Sequence, residues 1–236
     1  MAEKQDWRER TALLVGKEGI ERLFATRVAV FGVGGVGGHA VEALVRAGVG
    51  ALDLFDPDTV SESNLNRQII ALRSTVGQYK TDVAAARALD INPDVKINTR
   101  HMFFLPENAD EVDFSVYDYV VDAVDTVAAK MELIRRCKAA GVPIISSMGT
   151  GNKLDPTRFR VSDIEKTSVC PLARTIRGLC RKEGLKHVKV LWSPEEPIKA
   201  TVYDGHGRHA PGSISFVPAA AGLCIAAEVV KNLLKQ

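Results

Sequence analysis

The feature that most constrains the fold is a short apolar run that passes directly into glycines, RVAVFGVGGVGG at residues 27–38. The apolar and β-branched residues before Gly32 are typical of a buried strand, and residues 40–45 have helical spacing. Glycines at such a junction let the main chain approach a ligand, and the first helical turn offers unpaired N–H groups. The stretch therefore predicts a binding site for a phosphate group.

Strands and helices continue to alternate after this stretch. Apolar runs predict strands at 27–32, 51–55, 95–101, 119–124 and 142–147. Helical spacing predicts helices at 7–26, 35–47, 79–89 and 126–140, the first with Leu13, Leu14, Ile20, Leu23 and Phe24 on its apolar face. The expected fold class is α/β, a Rossmann-like doubly wound and mostly parallel sheet with helices on both faces.

The pattern changes near residue 150, where we expect a C-terminal extension. It contains strands at 158–162 and 187–192, a basic helix at 171–183, a Gly- and Pro-rich loop at 193–212 and a closing helix at 216–234. The polar stretch 57–76 predicts a functional loop or short helices. We expect one domain over 1–236, with a nucleotide-binding core at 7–150 and a substrate-side extension at 151–236.

Composition excludes several classes of protein. The net charge is only +2, and the four cysteines form no C-x-x-C pair, which argues against a zinc ribbon. The first residues lack the apolar segment of a signal peptide. The longest apolar run, 216–227, is shorter than the roughly 20 residues of a membrane span. We therefore expect a cytoplasmic protein with no membrane span.

Gly32, Gly34 and Gly37 satisfy the G-x-G-x-x-G fingerprint of nucleotide-binding folds, and Asp56 ends the second strand where a ribose-binding carboxylate belongs. The fingerprint alone does not separate a nicotinamide cofactor from another adenine nucleotide. A triphosphate needs fixed cations beside the glycine turn, and Arg67 and Lys80 are candidates. Each of them, taken alone, is equally typical of an exposed surface cation.

Asp125 follows the fourth strand at the edge of the sheet where ligands bind. A lone carboxylate there suits Mg²⁺ held mainly by phosphates and water, and it equally suits an N-cap for the helix that begins near Thr126. Asp122 lies within the strand and is expected to be structural.

Four segments together resemble the adenylating domain of ubiquitin-activating-type enzymes, the MoeB/ThiF superfamily. They are Gly32-x-Gly34-Gly35-x-Gly37, the run from Asp56 to Gln68, Gly77-x-x-Lys80 and Asp122-x-x-Asp125. The resemblance covers about residues 7–150 and implies that ATP is bound. It further implies a role for each matching position: ribose at Asp56, phosphates at Arg67 and Lys80, the lining of the phosphate site at Asn64 and Gln68, and Mg²⁺ at Asp125.

The resemblance also implies a homodimer in which Arg10 reaches the γ-phosphate of the neighbouring site. Without that role, Arg10 would be an ordinary surface arginine on a leading helix.

The second half departs from the sulfur-carrier activators of this superfamily, which typically carry two C-x-x-C zinc pairs. Residues 147–157, 171–174 and 212–218 instead look like the branch of tRNA threonylcarbamoyladenosine dehydratases. That branch implies ATP-dependent cyclisation of N6-threonylcarbamoyladenosine in tRNA through a carboxyl-adenylate. It further implies the tRNA anticodon loop as partner, an alkali metal ion as a second cofactor, and sulfur-relay proteins as further partners.

The basic helix carries Arg174, Arg177 and Arg181 at helical spacing, which fits either phosphate contacts with RNA or a solvated basic face. Cys170 is the cysteine that we would test as a nucleophile, and Cys224 is expected in the core. His206 and His209 are candidate contacts to substrate.

Three alternatives stay open at this point. The same adenylation could activate the C-terminus of a ubiquitin-like sulfur-carrier protein. The chain could be a nicotinamide-dependent oxidoreductase, against which Arg67 and Lys80 argue. It could also be an inactive binding scaffold, which would leave ATP intact.

Overall fold

The computed structural model describes residues 6–199 and 211–235. Within them, the strands are β1 (Arg27–Phe31), β2 (Ala51–Phe55), β3 (Lys96–Arg100), β4 (Tyr119–Asp122), β5 (Ile144–Ser147), β6 (Arg160–Asp163) and β7 (Lys189–Trp192). The helices are α1 (Glu9–Phe24), α2 (Gly37–Ala47), α3 (Lys80–Ile91), α4 (Val127–Ala140), α5 (Pro171–Lys182) and α6 (Phe216–Leu233). Every predicted strand and helix is present, with ends shifted by a few residues.

The strands form one seven-stranded sheet in the order β3-β2-β1-β4-β5-β7-β6. All neighbouring pairs are parallel except β6 and β7, which are antiparallel. The direction of strand order reverses between β1 and β4, and ligands in such sheets bind at the carboxyl ends of the strands beside that reversal. The sheet confirms the doubly wound, mostly parallel fold that the sequence predicts.

Strand β1 shows why helices cover both faces of the sheet. Its side chains alternate, so Val28 and Val30 face one core while Ala29 and Phe31 face the other. Helices α2, α3 and α6 cover the first face, and α4 and α5 cover the second. Because both faces are buried, the central strands read as continuous apolar runs rather than as alternating ones.

Helix α6 is the one helix in the described part of the chain that is long and apolar enough to cross a membrane, with 18 residues and a mean hydropathy of 1.5. Its buried side chains recur every four residues and pack on the sheet: Val217, Ala221, Ile225, Val229 and Leu233. That one-sided burial is the pattern of a core helix.

Helix α1 differs from its prediction. The backbone leaves helical geometry at Gly16, with φ 75° and ψ 169°, so α1 consists of two segments that meet at a kink. Ile20 and Leu23 in the second segment are buried, but Leu13 and Leu14 in the first are 83% and 87% exposed. The expectation of one continuous apolar face was wrong because the kink turns the first segment away from the core.

The long polar stretch after β2 contains two single 3₁₀ turns, Glu62–Asn64 and Arg73–Thr75. The expectation of short helices at 57–76 is therefore confirmed. The stretch matters because it carries Asn64, Arg67 and Gln68 back to the sheet edge at which β1 and β2 end.

Asp122 at the end of β4 forms a fully buried ion pair with Lys130 of α4. The ammonium lies 3.1 Å from each carboxylate oxygen, and Ser146 also donates to the carboxylate. Both charged side chains are shielded from water, so each depends on the other for neutralisation. The pair fixes α4 against β4 and β5.

We expect Lys130→Met to lower the free energy of unfolding by about 3–5 kcal/mol, because it leaves a buried carboxylate without its counter-charge. Urea denaturation followed by circular dichroism measures this. Lys138→Met on the exposed side of the same helix is the matched control and should cost less than about 0.5 kcal/mol. The double variant Lys130→Met/Asp122→Asn should recover part of the loss. A wild-type midpoint for the single variant would contradict the assignment.

Candidate active site

A cavity of about 340 Å³ opens at the carboxyl ends of β1, β2 and β4. It therefore lies at the reversal of strand order, where the topology predicts a ligand. Nine of the residues singled out in the sequence line it: Gly32, Gly34, Gly35, Asp56, Asn64, Arg67, Gln68, Lys80 and Asp125. The structure brings together residues up to 93 positions apart in the chain.

The glycine turn is closed by direct backbone contacts that leave no space for side chains. Gly32 has φ +88°, and a Cβ built there would lie 2.6 Å from the carbonyl oxygen of Ala123. A Cβ on Gly37 would lie 1.7 Å from the carbonyl oxygen of Gly32. No side chain caps the start of α2, and the N–H of Gly38 donates to the carbonyl oxygen of Gly34 at 2.9 Å, so the glycine turn is closed by its own backbone.

Asp56 ties the end of β2 to this turn. Its carboxylate accepts hydrogen bonds from the backbone N–H of Val33 at 2.7 Å and of Asp58 at 2.9 Å. Lys80 lies on the other side, with its ammonium 2.6 Å from the Asp58 carboxylate and 3.8 Å from that of Asp56. A carboxylate has about four acceptor positions, so Asp56 can still accept a hydrogen bond from a ribose hydroxyl.

Three further side chains line the cavity from the stretch after β2. The Arg67 guanidinium donates to the carbonyl oxygen of Ser63 and to Asn66 Oδ1 at 2.9 and 2.8 Å. Asn64 Oδ1 accepts from the N–H of Ser61. Gln68 is 7% exposed, and its Oε1 has no hydrogen-bond partner among the described residues. A buried amide oxygen without a partner at a cavity points to a ligand that supplies a donor or a cation.

An aromatic cluster lines another part of the cavity. Phe31 stacks on Phe55 with ring centroids 4.2 Å apart, and Phe104 meets Phe31 edge-on at 5.0 Å. These three rings and Phe103 line the cavity together with the polar residues. The site thus combines an apolar surface that suits a planar base with a polar surface that suits phosphates.

Asp125 lies on the rim of the cavity and is exposed. The structure assigns the N-cap position of α4 to Thr126, with no side-chain capping bond. The described part of the chain contains no group of three acidic, histidine or cysteine side chains that could enclose a metal ion. A single free carboxylate fits an ion held mainly by a bound nucleotide, and not one held by the protein alone.

A second cavity of about 390 Å³ adjoins the first and shares Val36, Ala123, Val124, Asp125 and Thr150 with it. The residues after β5, Gly149–Lys153, and the start of α5 line its far side. Sequence reasoning did not single out Lys153, which is 4% exposed. It lies in the stretch 147–157 that carries the family resemblance, but no sequence pattern assigns this lysine a role of its own.

Several candidates lie away from both cavities. Arg10 is exposed on the first segment of α1. On α5, Arg177 donates to Thr167 and Arg181 pairs with Glu165, whereas Arg174 is exposed. Their roles stay predictions. His206 and His209 lie outside the described residues.

The cysteines differ in their surroundings. Cys170 is buried and lines the second cavity. Burial raises the pKa of Cys180 to about 11 and also raises the pKa of Cys137, which makes both thiols poor nucleophiles. Cys224 is half-buried and packs against the core, as expected.

Comparison with known proteins defines the class. A family profile described as "ThiF family" matches residues 8–236. The chain belongs to the ThiF family. It is 45% identical to tRNA threonylcarbamoyladenosine dehydratase of Bacillus subtilis, over 96% of this chain and 94% of that protein.

Two other relatives are also similar to this chain over most of their length. The structure of the Escherichia coli tRNA N6-threonylcarbamoyladenosine dehydratase in complex with AMP superposes with a TM-score of 0.89 at 34% identity, covering 100% of this chain and 98% of that one. The E. coli molybdopterin-synthase adenylyltransferase is 37% identical over 84% of this chain and 80% of its own length. Both relatives are enzymes, one crystallised with a nucleotide and the other named as an adenylyltransferase.

We expect Gly37→Ala to lower the free energy of unfolding by at least about 2 kcal/mol, because its Cβ would displace the backbone of Gly32. Gly178→Ala is the matched control, since it also replaces a helical glycine but has open space around it. It should leave stability unchanged or raise it by up to about 1 kcal/mol. Chemical denaturation of both variants tests the packing of the turn; equal stabilities would refute it.

Proposed function

We propose that this protein catalyses the ATP-dependent dehydration of N6-threonylcarbamoyladenosine in tRNA through a carboxyl-adenylate. The observation that carries the proposal is the cavity at the sheet reversal, which combines a glycine turn, two cations and three carboxylates. The 45% identity to the Bacillus subtilis dehydratase over nearly the whole chain supports this substrate. We further propose that the chain forms one adenylating domain over 1–236, with 7–150 binding nucleotide and 151–236 forming the substrate side.

In this assignment the adenine lies on the aromatic side of the cavity and Asp56 accepts from the ribose. The phosphates lie over the glycine turn and the start of α2, between Arg67 and Lys80. Asn64 and Gln68 line the phosphate site. The main-chain N–H groups and the two cations are fixed before the substrate arrives, so they stabilise developing phosphate charge without reorganisation.

The reaction has two steps. A carboxylate oxygen of the threonyl group bonds to the α-phosphorus while the bond from that phosphorus to the β-phosphate bridging oxygen breaks, and pyrophosphate leaves. The neighbouring carbamoyl group then bonds to the activated carbonyl carbon as AMP departs and a proton is lost to solvent. The oxygen that is lost leaves on AMP, so the ring product has lost one water. Both reacting groups lie on one substrate, so ring closure needs no enzyme nucleophile.

Mg²⁺ fits this site through Asp125 and the unpartnered oxygen of Gln68. When bound, it would neutralise phosphate charge and orient the leaving pyrophosphate. An alkali metal ion is the second cofactor that we propose, on the family resemblance alone. Addition of EDTA should abolish pyrophosphate release, and Mg²⁺ should restore it; turnover in EDTA would refute the metal assignment.

We propose that tRNA binds by its anticodon loop, with Arg174, Arg177 and Arg181 contacting its phosphates. Arg174 begins this stripe close to the second cavity, because Pro171 and Leu172 of the same helix line that cavity. The reaction takes place in the cytoplasm, and sulfur-relay proteins are further partners. Binding that weakens steeply with salt would support the phosphate contacts.

Activation of a ubiquitin-like sulfur carrier is the second candidate, favoured by the 37% identity to a molybdopterin-synthase adenylyltransferase. Pyrophosphate release with carrier peptide or with modified tRNA separates the two functions. Mass spectrometry of the tRNA nucleosides should then show loss of one water from N6-threonylcarbamoyladenosine. Release with the peptide alone would overturn the main proposal.

We expect Arg67→Ala to slow tRNA-dependent pyrophosphate release by about 10²–10³-fold, because it removes a cation from the developing phosphate charge. The fold should persist, since the side-chain hydrogen bonds of Arg67 go to Ser63 and Asn66, which are both exposed. Arg73→Ala, in an exposed turn of the same stretch, is the matched control and should release pyrophosphate at the wild-type rate. Wild-type release by Arg67→Ala would exclude it from the site.

The proposed homodimer predicts complementation between two inactive variants. Arg10→Ala should inactivate the site of the neighbouring subunit, and Lys80→Ala should inactivate its own. In a mixed dimer, the Arg10→Ala subunit keeps its own Lys80 and receives Arg10 from the other subunit. Each mixed dimer should therefore have one complete site and about half of the activity of a wild-type dimer. No recovery in dimers that exchange subunits would refute the role of Arg10.

A further inference from the structure

Lys153 differs from every other buried charge in the described part of the chain. The remaining buried acidic and basic side chains have ion-pair partners. These pairs are Asp53 with Arg27, Asp56 with Lys80, Asp122 with Lys130, and Glu132 with Arg135 and Arg136. Lys153 is as buried as they are, at 4% exposure, yet within residues 6–199 and 211–235 its ammonium donates only to a backbone carbonyl, that of Glu195 at 2.5 Å.

The nearby acid does not fill this role. The Glu195 carboxylate accepts from the N–H groups of Leu154 and Asp155, at 2.8 and 3.1 Å, and no ion pair joins it to Lys153 among the described residues. Burial lowers the pKa of Lys153 below its usual value. A buried cation is costly unless an anion neutralises it, so the arrangement indicates an anionic ligand.

The position of Lys153 defines where that anion would lie. Lys153 lines the second cavity. Asp125 and Thr150 belong to the wall that this cavity shares with the first cavity, which contains the glycine turn. Apolar residues, including Val36, Met148 and Leu172, form much of the rest of the wall. A group bound against Lys153 therefore lies along a largely apolar wall, beside the cavity that contains the glycine turn.

The backbone beside the cavity is strained. Val169 has φ +62°, and the N–H of Cys170 donates to the carbonyl oxygen of Ser168 at 2.6 Å, closing a three-residue turn. A β-branched residue in this conformation is a rare outlier, and such outliers cluster at functional sites. The turn places Cys170 and the start of α5 in the wall of the cavity.

We propose that the second cavity binds the threonylcarbamoyl group of the acceptor nucleoside and that Lys153 holds its carboxylate for adenylation. This inference rests on the proposed function. One ammonium hydrogen is used by Glu195, and two remain for the carboxylate oxygens. Lys153 is a compact point charge, which suits a single carboxylate, whereas Arg67 and Lys80 already serve the phosphates.

The test is binding of two anticodon stem-loop RNAs in the presence of a non-hydrolysable ATP analogue. One RNA carries the threonylcarbamoyl group with its free carboxylate, and the other carries the same group as a primary amide. The wild-type protein should bind the carboxylate RNA about 10- to 100-fold more tightly, as expected for a charge-assisted hydrogen bond from a buried ammonium. Lys153→Met should bind both RNAs equally, and its affinity for the ATP analogue should stay within twofold of the wild-type value.

Lys96→Met is the matched control, because Lys96 is exposed on β3 at the opposite edge of the sheet. It should keep the wild-type preference for the carboxylate. If Lys153→Met does not fold, Leu172→Trp, which retains the cation and fills the cavity, should weaken binding of both RNAs at least tenfold. A wild-type protein without preference, or a Lys153→Met protein that keeps it, would overturn the inference.

The same preparations separate this inference from the proposed function. If the wild-type protein releases no pyrophosphate with modified tRNA, the proposed reaction fails, whatever the binding ratio. If pyrophosphate is released normally and Lys153→Met keeps the preference for the carboxylate, the reaction stands and only the role of Lys153 fails.

Discussion

The hydrogen bonds from the N–H groups of Val33 and Asp58 to the Asp56 carboxylate are the contacts on which the site depends. They join the end of β2 to the turn after β1, so two neighbouring strands present one continuous rim. Lys80 is held within reach of the same carboxylate and is therefore fixed relative to the turn. A single buried acid therefore fixes Lys80 relative to the glycine turn before any ligand binds.

The C-terminal extension completes this arrangement. Strands β6 and β7 continue the sheet that the first half of the chain begins. Ser213 and Pro218 line the first cavity, at the carboxyl ends of β1, β2 and β4. Pro218 at the start of α6 packs against Gly35: a Cβ built on Gly35 would lie 3.2 Å from the Cβ of Pro218. The glycine turn is thus packed between an acid from the first half and a helix from the second.

Much of the fold and of the candidate site could be predicted from the sequence, because both depend on local sequence patterns. The glycine fingerprint, Asp56 and the alternation of strands and helices are short-range signals. The direction of β6 could not be read, because it depends on how the chain returns to the sheet. The exposure of Leu13 and Leu14 was missed, since periodicity shows that a face is apolar but not whether anything covers it. Lys153 was missed because its burial depends on Glu195, 42 residues away.

The two outermost strands of the sheet carry polar side chains. Strand β3 places Lys96, Asn98 and Arg100 at one border, and β6 places Arg160 and Asp163 at the other. Charges on terminal strands discourage extension of the hydrogen-bonded ladder by another molecule. Growth into a fibre by strand addition is thereby opposed at both borders of the sheet.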